Sequence, residues 1–326
     1  MGKALKWNGM VVFKLVFVCL IFAWLGSRGY LDLNLFSAAQ ASQRLHYLVL
    51  AVGGIWAIMV LQTLRARVLF VAQEYLIPLR TFYGITWIGY FFSAFLPGGV
   101  TSDLIKFGYF QGMTNKSKTV TALLVLLDRV CGLLGLLVLV FLVALAMVTL
   151  FGSTHPGVKQ YFGIASALMG FSVVGGYLLM LPQQKQLTIL GPLGKYSVFT
   201  QLTEAFQRFR NKKHVLFLAV FLSLGIHFLF LVNLYLIQKF MYEHTLFSMV
   251  DMTLLFPFAM LVSVIPLSPQ GVGLSQLAII SVASFLGFQN TASAVTIYTF
   301  IQVLTMVCFL SGFVPYLLHK RQSHAH

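Results

Sequence analysis

Phe95-Leu-Pro-Gly-Gly-Val-Thr-Ser-Asp-Leu-Ile-Lys106 interrupts a long apolar segment with a helix breaker, two glycines and an opposed charge pair. Backbone that leaves the helix inside a bilayer must be shielded by protein or line a polar cavity, because lipid offers its N–H and C=O groups no partner. A break of this kind therefore points to a sheltered polar site within a membrane bundle.

The composition agrees. Of 326 residues, 59% are hydrophobic and 9% charged, whereas a soluble domain carries roughly 25% charged residues. A large soluble globule is excluded on that ground. Seven acidic residues face twenty-two lysines and arginines, a formal net charge of +15. In a polytopic protein such an excess reflects basic residues held on the cytoplasmic side and attraction to anionic lipid head groups, so nucleic acid is not the expected partner. Cys19, Cys131 and Cys308 are far apart in apolar segments without metal or redox spacing, and neither a metal cluster nor a cofactor motif is expected. The N-terminal apolar stretch Met10 to Gly26 carries Lys14 and exceeds the usual h-region of about 7 to 15 residues, so it reads as an uncleaved first span.

A span needs roughly 20 apolar residues. Full crossings are expected at about 10–26, 46–65, 125–150, 161–181, 214–238 and 293–317. Two further apolar regions are broken: Thr81 to Gln111 at Pro97, Gly98 and Gly99, and Met249 to Leu286 between Pro266 and Gly273. The piece from Val100 to Gln111 would be only about 18 Å long, too short for a core about 30 Å thick. A re-entrant hairpin is the preferred expectation, and a pair of tilted spans the alternative. Thr119 to Leu150 is too long for one straight crossing, so its first turns should dip beside the hairpin and bring Asp128 and Arg129 near it.

Lys3, Lys6, Arg65, Arg67, Arg80, Lys116, Lys118, Arg208, Arg210, Lys212, Lys213, Lys320 and Arg321 fall on one side of these crossings. The positive-inside rule makes that side cytoplasmic, with both termini inside. Three crossings per half then place the second half upside down relative to the first. The expected fold is an all-α polytopic membrane helix bundle forming a single domain over 1–326: about six full spans plus two opposed re-entrant broken-helix hairpins in an inverted repeat, 10–160 against 161–318. Between the halves, Val198, Phe199, Leu202, Ala205, Phe206 and Phe209 recur at helical spacing against Gln201, Glu204, Arg208 and Arg210. An amphipathic basic linker helix is expected over 196–213, lying on the anionic leaflet or packed on the bundle.

Ionisable groups inside a membrane cost roughly 2.5 to 3.5 kcal/mol each even on lenient scales, so they face an interior. The candidates are Asp103, Lys106, Asp128 and Arg129. Asp103 and Lys106 can meet on one helical face, while the adjacent Asp128 and Arg129 point apart and each needs another partner. Arg129 is expected either to reach Asp103 or to receive an anion through its planar fork. The second break offers only uncharged groups, Ser263, Ser268, Gln270, Ser275 and Gln276.

These motifs resemble the lysylphosphatidylglycerol synthase transmembrane-region family, also called flippase-like domain proteins, over roughly 10–318. The family's Pro-Gly segment followed by an Asp and a basic residue is similar to Pro97, Gly98, Gly99, Asp103 and Lys106. Its acidic-Arg pair resembles Asp128 and Arg129, and its late Pro-x-Pro-Gly-Gly-x-Gly-x-x-Glu motif is similar to Pro266, Pro269, Gly271, Gly273 and Gln276. Gln276 stands for the usual Glu, Ser275 for a common Arg, Gln270 for the first Gly of the pair and Lys106 for a frequent Arg. The resemblance implies movement of an anionic phospholipid, an aminoacyl-phospholipid or a lipid-linked sugar across a prokaryotic cytoplasmic membrane. Asp103, Lys106, Asp128, Arg129 and Gln276 would bind substrate, and Pro97, Gly98, Gly99, Pro266, Pro269, Gly271 and Gly273 would gate. Fused relatives carry a soluble aminoacyl-transferase domain, for which this sequence has no room, so an enzyme is not expected. The alternative is a membrane enzyme or accessory factor in lipid or polyprenyl-phosphate sugar metabolism.

Overall fold

Apolar runs bounded by proline, glycine and short polar clusters become helices in the computed structural model, which describes residues 20, 23, 26, 27, 44–95, 100–114, 116–151, 157–180, 207–263 and 269–323. These form α1 (Leu45–Ala72), α2 (Leu79–Phe95), α3 (Val100–Gly112), α4 (Lys118–Ala146), α5 (Val158–Met180), α6 (Lys213–Met241), α7 (Met249–Ser263), α8 (Leu274–Leu286), α9 (Thr291–Phe309) and α10 (Phe313–Ser323). There is no strand among the described residues. Among the described residues, four helical stretches, Leu45–Ala72, Lys118–Thr149, Lys213–Met241 and Thr291–Leu318, are long and apolar enough to cross a membrane, and α7 and α8 are shorter apolar helices. The chain is a multi-pass membrane helix bundle. Most of the expected first span, the break at Pro97, Gly98 and Gly99, Pro266, and residues 196–206 of the expected linker helix lie outside the described residues.

Two boundaries differ from the sequence reading. The segment expected to end at 65 continues as α1 to Ala72, since Val68-Leu-Phe-Val-Ala72 extends the apolar face beyond Arg65. The linker helix expected to reach 213 gives way to a turn at Phe209–Asn211, where the Lys212 N–H donates to the Phe209 carbonyl at 2.8 Å. Phe209 is buried there, and Arg208 and Arg210 are exposed.

The chain divides into two compact units. One comprises Met1–Ile55, Gly89–Ser102 and Leu231–Phe313; the other comprises Trp56–Ile88, Asp103–Phe230 and Val314–His326. In the first, the rings of Phe256 on α7 and Tyr298 on α9 stack at 5.7 Å. α8 stops where Gly287 takes φ 77°, a left-handed cap in which the Phe288 N–H reaches back to the Ala283 carbonyl at 2.9 Å. In the second, Phe70, Phe82 and Phe110 bring α1, α2 and α3 together, with ring centroids 4.6 to 5.4 Å apart. The start of α4 is tied to this aromatic core: Ser117 caps the helix, and the Thr121 hydroxyl bonds both Gln111 Oε1 and Tyr75 Oη at 2.8 Å. α3 is thereby held at its far end, which fixes the first-turn Asp103 of the same helix.

Candidate functional site

In the second unit, α4 carries Asp128 and Arg129 in succession, about 100° apart around the helix, so one residue serves α1 and the other α3. Arg129 Nε donates to Asp103 Oδ2 in a close ion pair. Lys106, one turn along α3, places Nζ 4.0 Å from the other oxygen of Asp103. Asp103 is thus shared by two cations, and at the first turn of α3 it also sits where the helix dipole favours negative charge. The sequence-derived trio Asp103, Lys106 and Arg129 is brought together.

Asp128 takes a partner the sequence did not nominate. Arg65 on α1 grips it with both arms of its fork, Nε to Oδ1 at 2.7 Å and Nη2 to Oδ2 at 3.0 Å. The third nitrogen, Nη1, donates to Ser223 Oγ on α6 at 3.1 Å, and that hydroxyl passes its own proton to the Ala219 carbonyl at 2.8 Å. Gly132 makes the room: a Cβ there would lie 3.0 Å from Arg65 Nη1. One turn further, a Cβ at Gly135 would lie 2.4 Å from the Cβ of Ser223, so α4 and α6 meet backbone to side chain. His227 Nε2 lies 3.0 Å from the Gly132 carbonyl, bracing the same notch. Arg65 is 8% exposed; the sequence signal for its burial is the apolar run resuming after it.

The second break lies in the first unit and is uncharged. Gln270, within the short 3-10 turn Pro269–Gly271, adopts φ 52° and ψ 19°, a left-handed conformation unusual for a residue with a side chain. Two bonds hold it: Gln270 Nε2 donates to Ser93 Oγ on α2 at 3.3 Å, and its carbonyl accepts from Gln302 Nε2 on α9 at 3.0 Å. Gly271 has φ 72° and approaches α7 so closely that a Cβ would lie 2.4 Å from Ser263 Cα. Gly273 has φ 91°.

Gln276 is fully buried and its amide is engaged within the protein. Its Oε1 accepts the Gly273 N–H at 2.7 Å, satisfying a donor at the start of α8, and its Nε2 donates to Gln302 Oε1 at 2.7 Å and Thr299 Oγ1 at 3.0 Å. Ser275 Oγ donates to the Ala259 carbonyl at 3.1 Å. A continuous chain Ser93–Gln270–Gln302–Gln276 therefore joins α2, the break, α9 and α8. Gln302 and Ser93 were not singled out from sequence; the signal for Gln302 is a lone amide within the apolar run Val295–Phe309.

Among the described residues, no group of three His, Cys, Asp or Glu side chains converges to hold a metal. Among the described residues, one unit holds paired charges and the other a neutral hydrogen-bond chain.

The family model described as the lysylphosphatidylglycerol synthase TM region matches residues 11–312. No curated protein and no solved structure matches the chain.

Proposed function

The chain belongs to the lysylphosphatidylglycerol synthase TM-region family, and from that premise we propose that it translocates the head group of a membrane lipid across a prokaryotic cytoplasmic membrane. The substrate is an anionic phospholipid, an aminoacyl-phospholipid or a lipid-linked sugar, whose acyl or prenyl tails stay in the bilayer. The observation that carries this reading is the Lys106–Asp103–Arg129 cluster, set in apolar helices where unpaired charge is expensive. Arg129 receives the phosphate, Lys106 assists it, and Asp103 holds both cations until the head group arrives. The Arg65–Asp128 pair frames the site.

In this reading the segments around Pro97–Gly99 and Pro266–Gly273 are two opposed re-entrant breaks that open and close the path. The halves 10–160 and 161–318 form an inverted repeat, both termini face the cytoplasm, and one half rocks against the other. Gln276 supports the second break from within, and Pro269, Gly271 and Gly273 shape it.

Reconstitution into liposomes with head-group-labelled lipids tests the proposal. Labelled anionic lipid should move between leaflets, and Arg129→Lys, which keeps the charge but loses the fork, should slow it at least tenfold. Unchanged flip rates across anionic phospholipids, aminoacyl-phospholipids and glycolipids would sink the idea. Chemical conversion of a lipid-linked sugar by the purified protein would favour a membrane enzyme instead.

A further inference from the structure

We propose that α1 and α2 of the second unit form a groove that seats one phospholipid of the surrounding bilayer, with Arg67 as the ligand of its phosphate. The groove uses none of the residues around Asp103 and Arg129, and the inference does not depend on the translocase reading.

Trp56, Arg67 and Val71 are spaced by eleven and four residues, which returns each to the same face of α1. Trp56 is 42% and Val71 41% exposed, so Arg67 stands on an open face, and in a bilayer an open face meets lipid. Its Nε is buried and has no hydrogen-bond partner among the described residues, while the residue as a whole is half-buried. The inner edge of the guanidinium is therefore laid against the bundle and its outer edge is open. Depth fits a head group as well. α1 has 28 residues, about 42 Å of helix against a hydrocarbon core of about 30 Å. Centred in that core, α1 carries Arg67 about 13 Å from the midplane, from where a long side chain reaches the phosphates.

α2 supplies the facing wall. Arg80, Tyr83 and Trp87 follow at i, i+3 and i+7 along one side of it. Tyr83 lies within electrostatic reach of Arg67, and the rings of Trp87 and Trp56 meet edge to face at 5.3 Å, so this side of α2 adjoins the open face of α1. Trp87 Nε1 is a second buried donor without a hydrogen-bond partner among the described residues. From the helix ends inward, the groove thus offers two guanidinium groups, a phenol, an indole N–H and the apolar ring of Trp56. A phospholipid presents the complementary groups in the same order: phosphate, ester carbonyls, hydrocarbon. The planar fork of Arg67 suits the two non-bridging oxygens of the phosphate. Free phosphate would answer only the outermost of these groups.

The full-length protein with Trp7→Phe and Trp24→Phe retains Trp56 and Trp87, which both report on the groove. In detergent it is titrated with phosphatidylglycerol or diacylglycerol carrying brominated chains, which quench tryptophan on contact. Phosphatidylglycerol should quench at a concentration at least tenfold lower. Equal quenching by the two overturns the proposal, because diacylglycerol keeps the ester carbonyls and tails and lacks only the phosphate head group. Reversal of the quenching by glycerophosphoglycerol or inorganic phosphate at equal concentration also overturns it, since the groove would then hold a soluble phosphate.

Arg67→Gln should erase the preference for phosphatidylglycerol. Arg67→Lys, the milder change, keeps the charge but loses the fork and should weaken binding about threefold; full affinity with lysine overturns the role given to the fork. Arg129→Gln should leave the preference as it is. A preference that survives Arg67→Gln in a folded protein, or that vanishes with Arg129→Gln, overturns the assignment, because charge elsewhere would be holding the lipid.

Discussion

A buried ion pair is weak support for stability while intact, but breaking it leaves a bare charge in a poor solvent. Asp128→Asn removes the countercharge of Arg65, and we expect a loss of about 3 kcal/mol, read as a lower unfolding temperature in detergent. Gly132→Ala tests the same locus by shape alone: a methyl 3.0 Å from Arg65 Nη1 must shift the fork by a few tenths of an ångström against Asp128 and Ser223, so a smaller drop in unfolding temperature is expected. A second notch lies in the first unit, where a Cβ at Gly54 would sit 2.1 Å from Asn233 Oδ1. Asn233 is fully buried, and neither polar atom of its amide has a partner among the described residues. Gly54→Ala should therefore destabilise strongly, and adding Asn233→Ala should recover most of the loss; a cycle without that coupling would show that the two residues do not press on each other. Asp103, Lys106 and Arg129 were legible because a charge in an apolar run is costly and three-residue spacing gives one helical face. Arg65 was not, because charge at the edge of an apolar run reads equally as a loop. Gly132 and Gly54 were silent, since nothing in a one-dimensional pattern says which glycine faces another helix.

The helices themselves were largely legible, for their ends carry physical signals. Ser117 precedes α4, and Gly273 and Gly287 flank the two ends of α8. What escaped the pattern was the wiring across the second break. Gln270 occupies a left-handed conformation that costs a residue with a Cβ about 1 kcal/mol or more, and its bonds to Ser93 and Gln302 hold it there. Gln270→Gly relieves the strain and removes only the side-chain link to α2. Its thermal stability should stay within about 1 kcal/mol of the parent, while amide exchange over Pro269–Gly273 should quicken. Gly271→Ala has no such compensation, because it meets both φ 72° and the backbone of Ser263. A marked loss of folded protein is expected, measured as the monodisperse fraction on size exclusion.

For the whole molecule, composition decides the environment, and the apolar lengths of α1, α4, α6 and the α9–α10 stretch make a multi-pass bundle. The two compact units each draw on both halves of the sequence, a grouping that no linear reading of segments anticipates. Orientation depends on where charge lies relative to the helix ends. α6 begins at Lys213, next to Lys212 and His214, and ends two residues before the exposed Glu243. Under the proposed orientation, a cysteine at Lys213 should react with a membrane-impermeant maleimide only from the cytoplasmic side, and one at Glu243 only from outside. The first broken segment supplies the sharper test. α3 has 13 residues and α2 has 17, or about 20 and 26 Å of helix against a hydrocarbon core of about 30 Å. Two helices that short return to their starting side without crossing if the chain turns within the membrane. A cysteine at Gly98 should then be shielded from an impermeant reagent outside the cell while cysteines at Arg80 and Lys116 both react from within. Labelling of Gly98 from outside would mean that α2 and α3 are full, tilted crossings, and the proposed scheme of six spans and two hairpins would give way to eight spans and one hairpin.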